Sequence, residues 1–174
     1  MSRSYLGLLY ALLVFGCSSS SPTPSAPSSL QVQSNSFQAD QPIPEKYSNY
    51  ADNISPSLSW SGQPSTTKSM ALVVDDPDAP GGAPFVHWVL FNIPPTARLE
   101  GANVPAEAVE GMSGAGSLGY FGPRPPSGTH HYHFHVYALD RMLDLKSGAT
   151  RQELDRAMIG HVLAQGELVG TYSH

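Results

Sequence analysis

The 174-residue chain has one cysteine, Cys17, so no internal disulfide can form and the fold rests on packing alone. It lacks a membrane-spanning apolar run: the longest, Tyr5 to Phe15, has 11 residues, roughly half of the ~20 that a spanning helix needs. Positive charge is scarce too. Nine Lys and Arg stand against fourteen Asp and Glu, for a formal charge of −5 with no basic block. Nucleic acid and bulk anionic membrane both require clustered positive charge and are poor partners. There is no Gly-x-Ser-x-Gly nucleophile elbow and no Gly-x-x-x-x-Gly-Lys nucleotide loop. Ser127, three residues before His130, is weak ground for a serine hydrolase. An enzyme is therefore not expected, and no cofactor is implied.

The N-terminus is informative. Arg3 precedes the apolar run, and Gly16-Cys17 follows it, which is the pattern of a secretory signal. Val14-Phe15-Gly16-Cys17 looks like a bacterial lipobox, although Phe15 is bulkier than the usual small residue. Residues 1–17 are thus expected to be a lipoprotein signal ending in an acylated Cys17. Two or three acyl chains anchor firmly, since each buried methylene contributes roughly 0.8 kcal/mol. Ser18 is not the aspartate that retains lipoproteins in an inner membrane, which points to a cell-envelope protein on the outer membrane, facing the periplasm. Ser18 to Ser29 is almost wholly serine and proline and reads as a tether. One folded domain is expected over 30–174.

The chain's sixteen glycines and sixteen prolines, most of them scattered among short apolar runs of this domain, predict a mainly β fold with many turns. Ser69 to Val74 and Val86 to Ile93 read as buried strands. His131 to Leu139 reads as a third, with Tyr132, Phe134, Val136 and Ala138 on one face and His131, His133, His135 and Tyr137 on the other. Thr150-Arg151-Gln152-Glu153 is a capping box, and Leu154, Ala157, Met158, His161 and Val162 follow at helical spacing until Gly166, predicting a helix near 150–165. Leu168 to Tyr172 would be a closing strand.

Three segments carry candidate chemistry. Asp75-Asp76-Pro77-Asp78-Ala79-Pro80 ends a buried strand, and its prolines stiffen the loop that holds the carboxylates. His87-Trp88 sits inside an apolar strand. Gly119 to Tyr132 is a glycine- and proline-rich loop that delivers His130 and Tyr132 to one face of a strand. Each has a plain structural reading, respectively a self-capping turn, a core histidine and a rigid loop.

Their order is familiar. Leu58-Ser59-Trp60-Ser61-Gly62, Asp76-Pro77-Asp78-Ala79-Pro80, His87, Gly122-Pro123-x-Pro125-Pro126 with Gly128, and His130-His131-Tyr132 together resemble the phosphatidylethanolamine-binding protein family, in its bacterial Raf-kinase-inhibitor-like branch. Gly160 to Ala164 and Glu167 to Tyr172 look like that branch as well. The resemblance extends from about Phe37 to Tyr172. It implies a large central antiparallel sheet packed on a smaller one, with short peripheral helices, and a small pocket for a phosphate-like ligand. It also implies modulation of a partner protein. Carried over residue by residue, the pocket comprises Asp76, Asp78, Pro80, His87, His130 and Tyr132, with Trp60 as a further neighbour. Two departures stand out: His131 replaces a usual arginine, and Arg124 replaces a cysteine frequent in the bacterial branch.

Paired histidines near their ordinary pKa of about 6.5 suit an oxyanion, which predicts tighter anion binding below that pH. A second reading of the same strand is metal binding. His131, His133 and His135 alternate on one face, where neighbouring imidazoles can share zinc or copper.

Overall fold

Short apolar runs punctuated by turn residues become strands here because each can bury a face only against its neighbours. The computed structural model describes residues 28–174; the expected signal segment with Cys17 and residues 18–27 of the expected tether lie outside the described residues, whereas Ser28 and Ser29, also expected in the tether, form an edge strand because they pair with Ala164 and Gln165. In chain order the elements are β1 (Ser28–Ser29), β2 (Gln31–Gln33), a 3-10 turn (Glu45–Tyr47), β3 (Ser59–Ser61), β4 (Ser69–Asp76), β5 (Phe85–Ile93), β6 (Val109–Glu110), β7 (Thr129–Leu139), α1 (Arg151–Met158) and β8 (Val162–Ser173). The large sheet has the order β1-β8-β7-β4-β5-β6, and β2 and β3 form a separate small sheet. All pairings in the large sheet are antiparallel except the edge strand β1, which runs parallel to β8. This is the mainly β architecture expected, with two sheets and little helix.

Every residue of β4 is buried, and its alternation explains the layering. Met70, Leu72 and Val74 join Trp88, Leu90, Tyr132, Phe134 and Val136 in one core, closed by the small sheet through Val32 and Trp60. Ala71 and Val73 join Val89, Phe91 and Leu139 in a second core, closed by Leu154 and Met158 of α1. A sheet covered on both faces needs strands apolar on both faces, which is why β4 reads as an unbroken run.

The helix is shorter than its periodicity predicts. The capping box forms, with Thr150 accepting from the Glu153 amide and Glu153 accepting from the Thr150 amide, but α1 ends at Met158. Gly160 turns the chain at φ +78°, and Val162 to Gly166 are taken by β8, where Val162 pairs with Leu139 and Gly166 with Val136. Eleven ladder positions on β7 outweigh a helical spacing that continues for one more turn. His161 consequently sits in the turn and not on a helix face. It lies between Asp140, 3.0 Å from Nδ1, and Arg141, 2.9 Å from Nε2. This is at the far end of β7 from the pocket described below.

One irregularity sets up the site. On β4 and β5, Val74 pairs with Trp88 but the next residue, Asp75, pairs with Val86. His87 is the extra residue of a β-bulge, which breaks the alternation, so that His87 and Trp88 both serve the side of the sheet that carries Val74 and Tyr132. Bulges re-aim a side chain in this way beside binding sites.

Candidate ligand-binding site

Three strands have a terminus at the same end of the large sheet: β4 finishes at Asp76, β5 starts at Phe85 and β7 starts at Thr129. The loops that join them cover that end and leave a cavity of about 360 Å³, whose wall includes Asp76, Ala79, Pro80, Phe85, His87, Ala115, Phe121, Arg124, Pro125, Pro126 and His130. Four of the residues expected from sequence, Asp76, Pro80, His87 and His130, meet on this wall.

Asp76 is only 3% exposed, and both its oxygens are engaged. Oδ1 accepts the Asp78 amide at 2.9 Å, and Oδ2 lies 2.7 Å from His130 Nδ1. The first bond closes the Asp-Pro-Asp turn on itself; the second orients a histidine. His87 is oriented differently, its Nδ1 lying 2.6 Å from the Phe121 carbonyl. A carboxylate or a carbonyl opposite Nδ1 requires the proton there, so in the neutral form each ring keeps a lone pair on Nε2. Neither Nε2 has a hydrogen-bond partner among the described residues. Each ring is therefore held by one nitrogen and leaves the other for a ligand.

Burial pushes the His87 imidazole below the usual histidine range, against the carbonyls of Phe121 and Gly122 and the carboxylates of Asp76 and Asp75, which pull the other way. The ring is boxed in by aromatics. Phe85 meets it edge-on with centroids 4.8 Å apart, Tyr132 edge-on at 5.1 Å, and Phe121 tilted at 5.9 Å.

The other expected residues are placed elsewhere, and for physical reasons. Asp78 faces the outer side, where Oδ2 accepts the His131 amide at 2.9 Å and pairs with His131 Nδ1 at 2.7 Å. The bond from His131 lowers its pKa below the ordinary carboxylate value. His131 thus ties down the Asp78 loop. Tyr132 lies behind His87 rather than on the wall. Its hydroxyl is buried without a hydrogen-bond partner among the described residues, and burial raises its pKa. Trp60 belongs to the small sheet, where its Nε1 donates to the Pro95 carbonyl at 3.2 Å inside the core. It does not line the cavity, because β3 pairs with β2 and not with the sheet end that carries the site.

His131 also parts from the metal triad expected on β7. Its ring is turned to Asp78, while His133 and His135 gather around Glu167 of β8.

Sequence reasoning missed the apolar wall of Phe85, Ala115 and Phe121. Two of these are aromatics beside quoted motifs, a signal that was available; Ala115 carries none. Arg124, a departure from the family pattern that offers a cation to an anionic ligand, is on the wall. It reaches Asn49 Oδ1 at 3.2 Å and stacks over Tyr50 with 5.8 Å to the ring centroid. The loop that carries Phe121 to Pro125 is fastened to the segment 47–53. Tyr120 Oη donates to the Tyr47 carbonyl at 2.9 Å, the Gly122 amide to Asn53 at 2.7 Å, the Asn49 amide to the Pro123 carbonyl at 2.9 Å and Tyr50 Oη to the Pro125 carbonyl at 2.7 Å. Any Cβ at Gly122 would collide with the Tyr47 carbonyl, so glycine there is a condition of close approach.

Comparison with known proteins gives a consistent result. Residues 33–173 match the family described as phosphatidylethanolamine-binding protein. A UPF0098 protein of Methanothermobacter thermautotrophicus is 45% identical over 149 residues, covering 82% of this chain and 98% of the relative. The structure is similar to the crystal structure of a phosphatidylethanolamine-binding protein homologue of Chlamydia trachomatis, with TM-score 0.80 and 39% identity over 84% of this chain and 99% of that one. It is also similar to YbcL of E. coli, described as a new member of the mammalian PEBP family, with TM-score 0.79 and 32% identity over the same shares.

Proposed function

The chain belongs to the phosphatidylethanolamine-binding protein family, and from that premise we propose that it is a lipid-anchored envelope protein that binds a small anionic, phosphate-like ligand among Asp76, His87 and His130. The reading rests on one observation: two histidines on one cavity wall, each fixed through Nδ1, with Nε2 uncommitted. Protonation turns each Nε2 into a charged donor, and hydrogen bonds to charged groups contribute about 1.5–3 kcal/mol each. Arg124 adds a fixed positive charge on the same wall. Phe85, Phe121 and the three prolines keep the site poor in water, which strengthens those interactions. Asp76 is the counter-charge that holds His130, its two oxygens already occupied.

The volume suits a phosphate monoester with a small organic group, such as a phosphorylated head group, better than a whole lipid. An acyl anchor at Cys17 would keep such a pocket beside the membrane that supplies these groups. No helix among the described residues is long and apolar enough to cross a membrane, so on this reading attachment falls to the anchor.

Titration calorimetry with inorganic phosphate and with O-phosphoethanolamine, wild type against His130→Ala, tests the pocket. The expected result is binding by the wild type and at least a tenfold loss in the variant; equal affinities, or no heat at millimolar concentrations, would overturn it. Intact mass of the membrane-fraction protein tests the anchor, with a Cys17→Ser chain expected in the soluble fraction.

A further inference from the structure

The outer face of the large sheet, on the side opposite the cavity, carries a second cluster of chemistry-bearing side chains. His133 and His135 lie two apart on β7 and so share a face. Glu167 of β8 is the register partner of His135. The carboxylate reaches both rings: Glu167 Oε1 is 2.8 Å from His133 Nδ1 and 3.2 Å from His135 Nδ1. The imidazoles are nearly parallel, at 21° with centroids 5.8 Å apart. One ligand atom from each of the three residues falls within 4.8 Å of the others.

We propose that His133, His135 and Glu167 bind a divalent transition-metal ion of the zinc class. Around a tetrahedral ion with bonds of about 2.0–2.1 Å, neighbouring ligand atoms are roughly 3.3 Å apart. The two nitrogen–oxygen separations are already close to that edge, so binding exchanges the shared protons for the ion with little movement of the backbone. Two histidines and one carboxylate form a three-ligand set that leaves a fourth position for water or a small ligand. The ring exposures of 26–27% keep the site open to solvent. A surface cavity of about 420 Å³, bounded by His135, Tyr137 and Glu167, adjoins it.

A second observation supports the assignment. With Nδ1 of His135 turned toward Glu167, its Nε2 lies 3.5 Å from Asp75 Oδ1. The Asp75 side chain is buried and is itself pinned by Arg151, whose NH1 donates to Oδ2 at 2.6 Å. A carboxylate on the far nitrogen of a ligating histidine fixes the ring and its tautomer, and removing such a partner typically costs 10–100-fold in metal affinity. Asp75 is thus a positioning residue for the site. His131, the remaining histidine on this face of the strand, is excluded because it is committed to Asp78.

The test uses the full chain without a polyhistidine tag, in equilibrium dialysis against Zn²⁺ and Cu²⁺. Binding of one ion per chain is expected, with affinity falling at least tenfold in His133→Ala and in Glu167→Gln. It should be unchanged in His131→Ala and in His130→Ala, which separates this site from the anion pocket. Thermal denaturation supplies a second readout: zinc should raise Tm in the wild type and not in the His133→Ala, Glu167→Gln double variant. No stoichiometric ion, or an ion retained equally by both variants, would overturn the proposal.

Discussion

Asp76 holds His130 by a 2.7 Å contact to Nδ1 while its second oxygen closes its own loop on the Asp78 amide at 2.9 Å. One buried carboxylate therefore serves the strand β7 and the turn after β4 at once. In Asp76→Asn a single amide oxygen cannot serve both donors, and its NH₂ faces one of them. A buried donor left unpaired costs about 1–3 kcal/mol. Urea denaturation at pH 7.5 should show a loss of that size, and anion affinity should fall with it because His130 loses its fixed orientation.

Anion affinity should rise as pH falls, and go on rising below the ordinary histidine range. His87 faces Asp76, Asp75, Tyr132 and the carbonyls of Phe121 and Gly122, with His130 and Arg124 on the same wall, and burial prevails in holding its pKa down. Its proton is then acquired only with the ligand or in more acidic solution. Sulfate is the suitable probe because its charge is constant between pH 5 and 8. Titration calorimetry should show affinity increasing from pH 8 to pH 5 without a plateau at 6.5; a flat profile would contradict it.

The same depressed pKa predicts a stability slope. Between the unfolded value of about 6.5 and the lower folded value, the unfolded chain binds the His87 proton and the folded chain does not. Stability from this group is complete above pH about 6.5 and is lost as pH falls through that window. The difference in unfolding free energy between wild type and His87→Gln, measured from pH 7.5 to 5, should shrink or change sign toward acid.

Gly122→Ala should loosen the pocket wall. The new Cβ would collide with the Tyr47 carbonyl and come within 2.9 Å of the Asn49 amide, both backbone atoms that cannot step aside. Overpacking of this kind costs about 1–3 kcal/mol. Because the strained segment carries Phe121, which fixes His87, anion affinity should drop as well, whereas Gly128→Ala, with open space around it, should show only the smaller effect of its φ of +77°.

Arg151→Ala removes the partner of a carboxylate whose side chain is 8% exposed. Breaking a buried pair on one side costs up to 3–5 kcal/mol. With His135 still beside Asp75 and Arg151 itself partly solvated, about 1–3 kcal/mol is expected by thermal or urea denaturation.

Much of this was legible in the chain. The strands β4, β5 and β7 begin and end within two residues of their predicted bounds, because an apolar run and its flanking glycines and prolines are local signals. The two faces of β7 were readable from the alternation His-Tyr-His-Phe-His-Val, since side-chain direction in a strand follows from position alone. The helix start at Thr150 was equally local, a capping box completed within four residues. Its end was not, because only the pairing of Val162 with Leu139 shows that the strand has the stronger claim.

The sequence by itself determined that the chain is β-rich, without an internal disulfide and poor in positive charge, and it supplied the four residues Asp76, Pro80, His87 and His130 that share one wall. Tertiary structure alone decided how they act. The bulge at His87 is a difference of register between two strands, and no residue type announces it. The commitment of Asp78 to His131, the burial of Trp60 between sheets, and the gathering of His133 and His135 around Glu167 without His131 all depend on which strands become neighbours. Side-chain identity is a property of single positions, whereas a site is a property of distances between strands far apart in the chain, and those distances exist only after the sheet has closed.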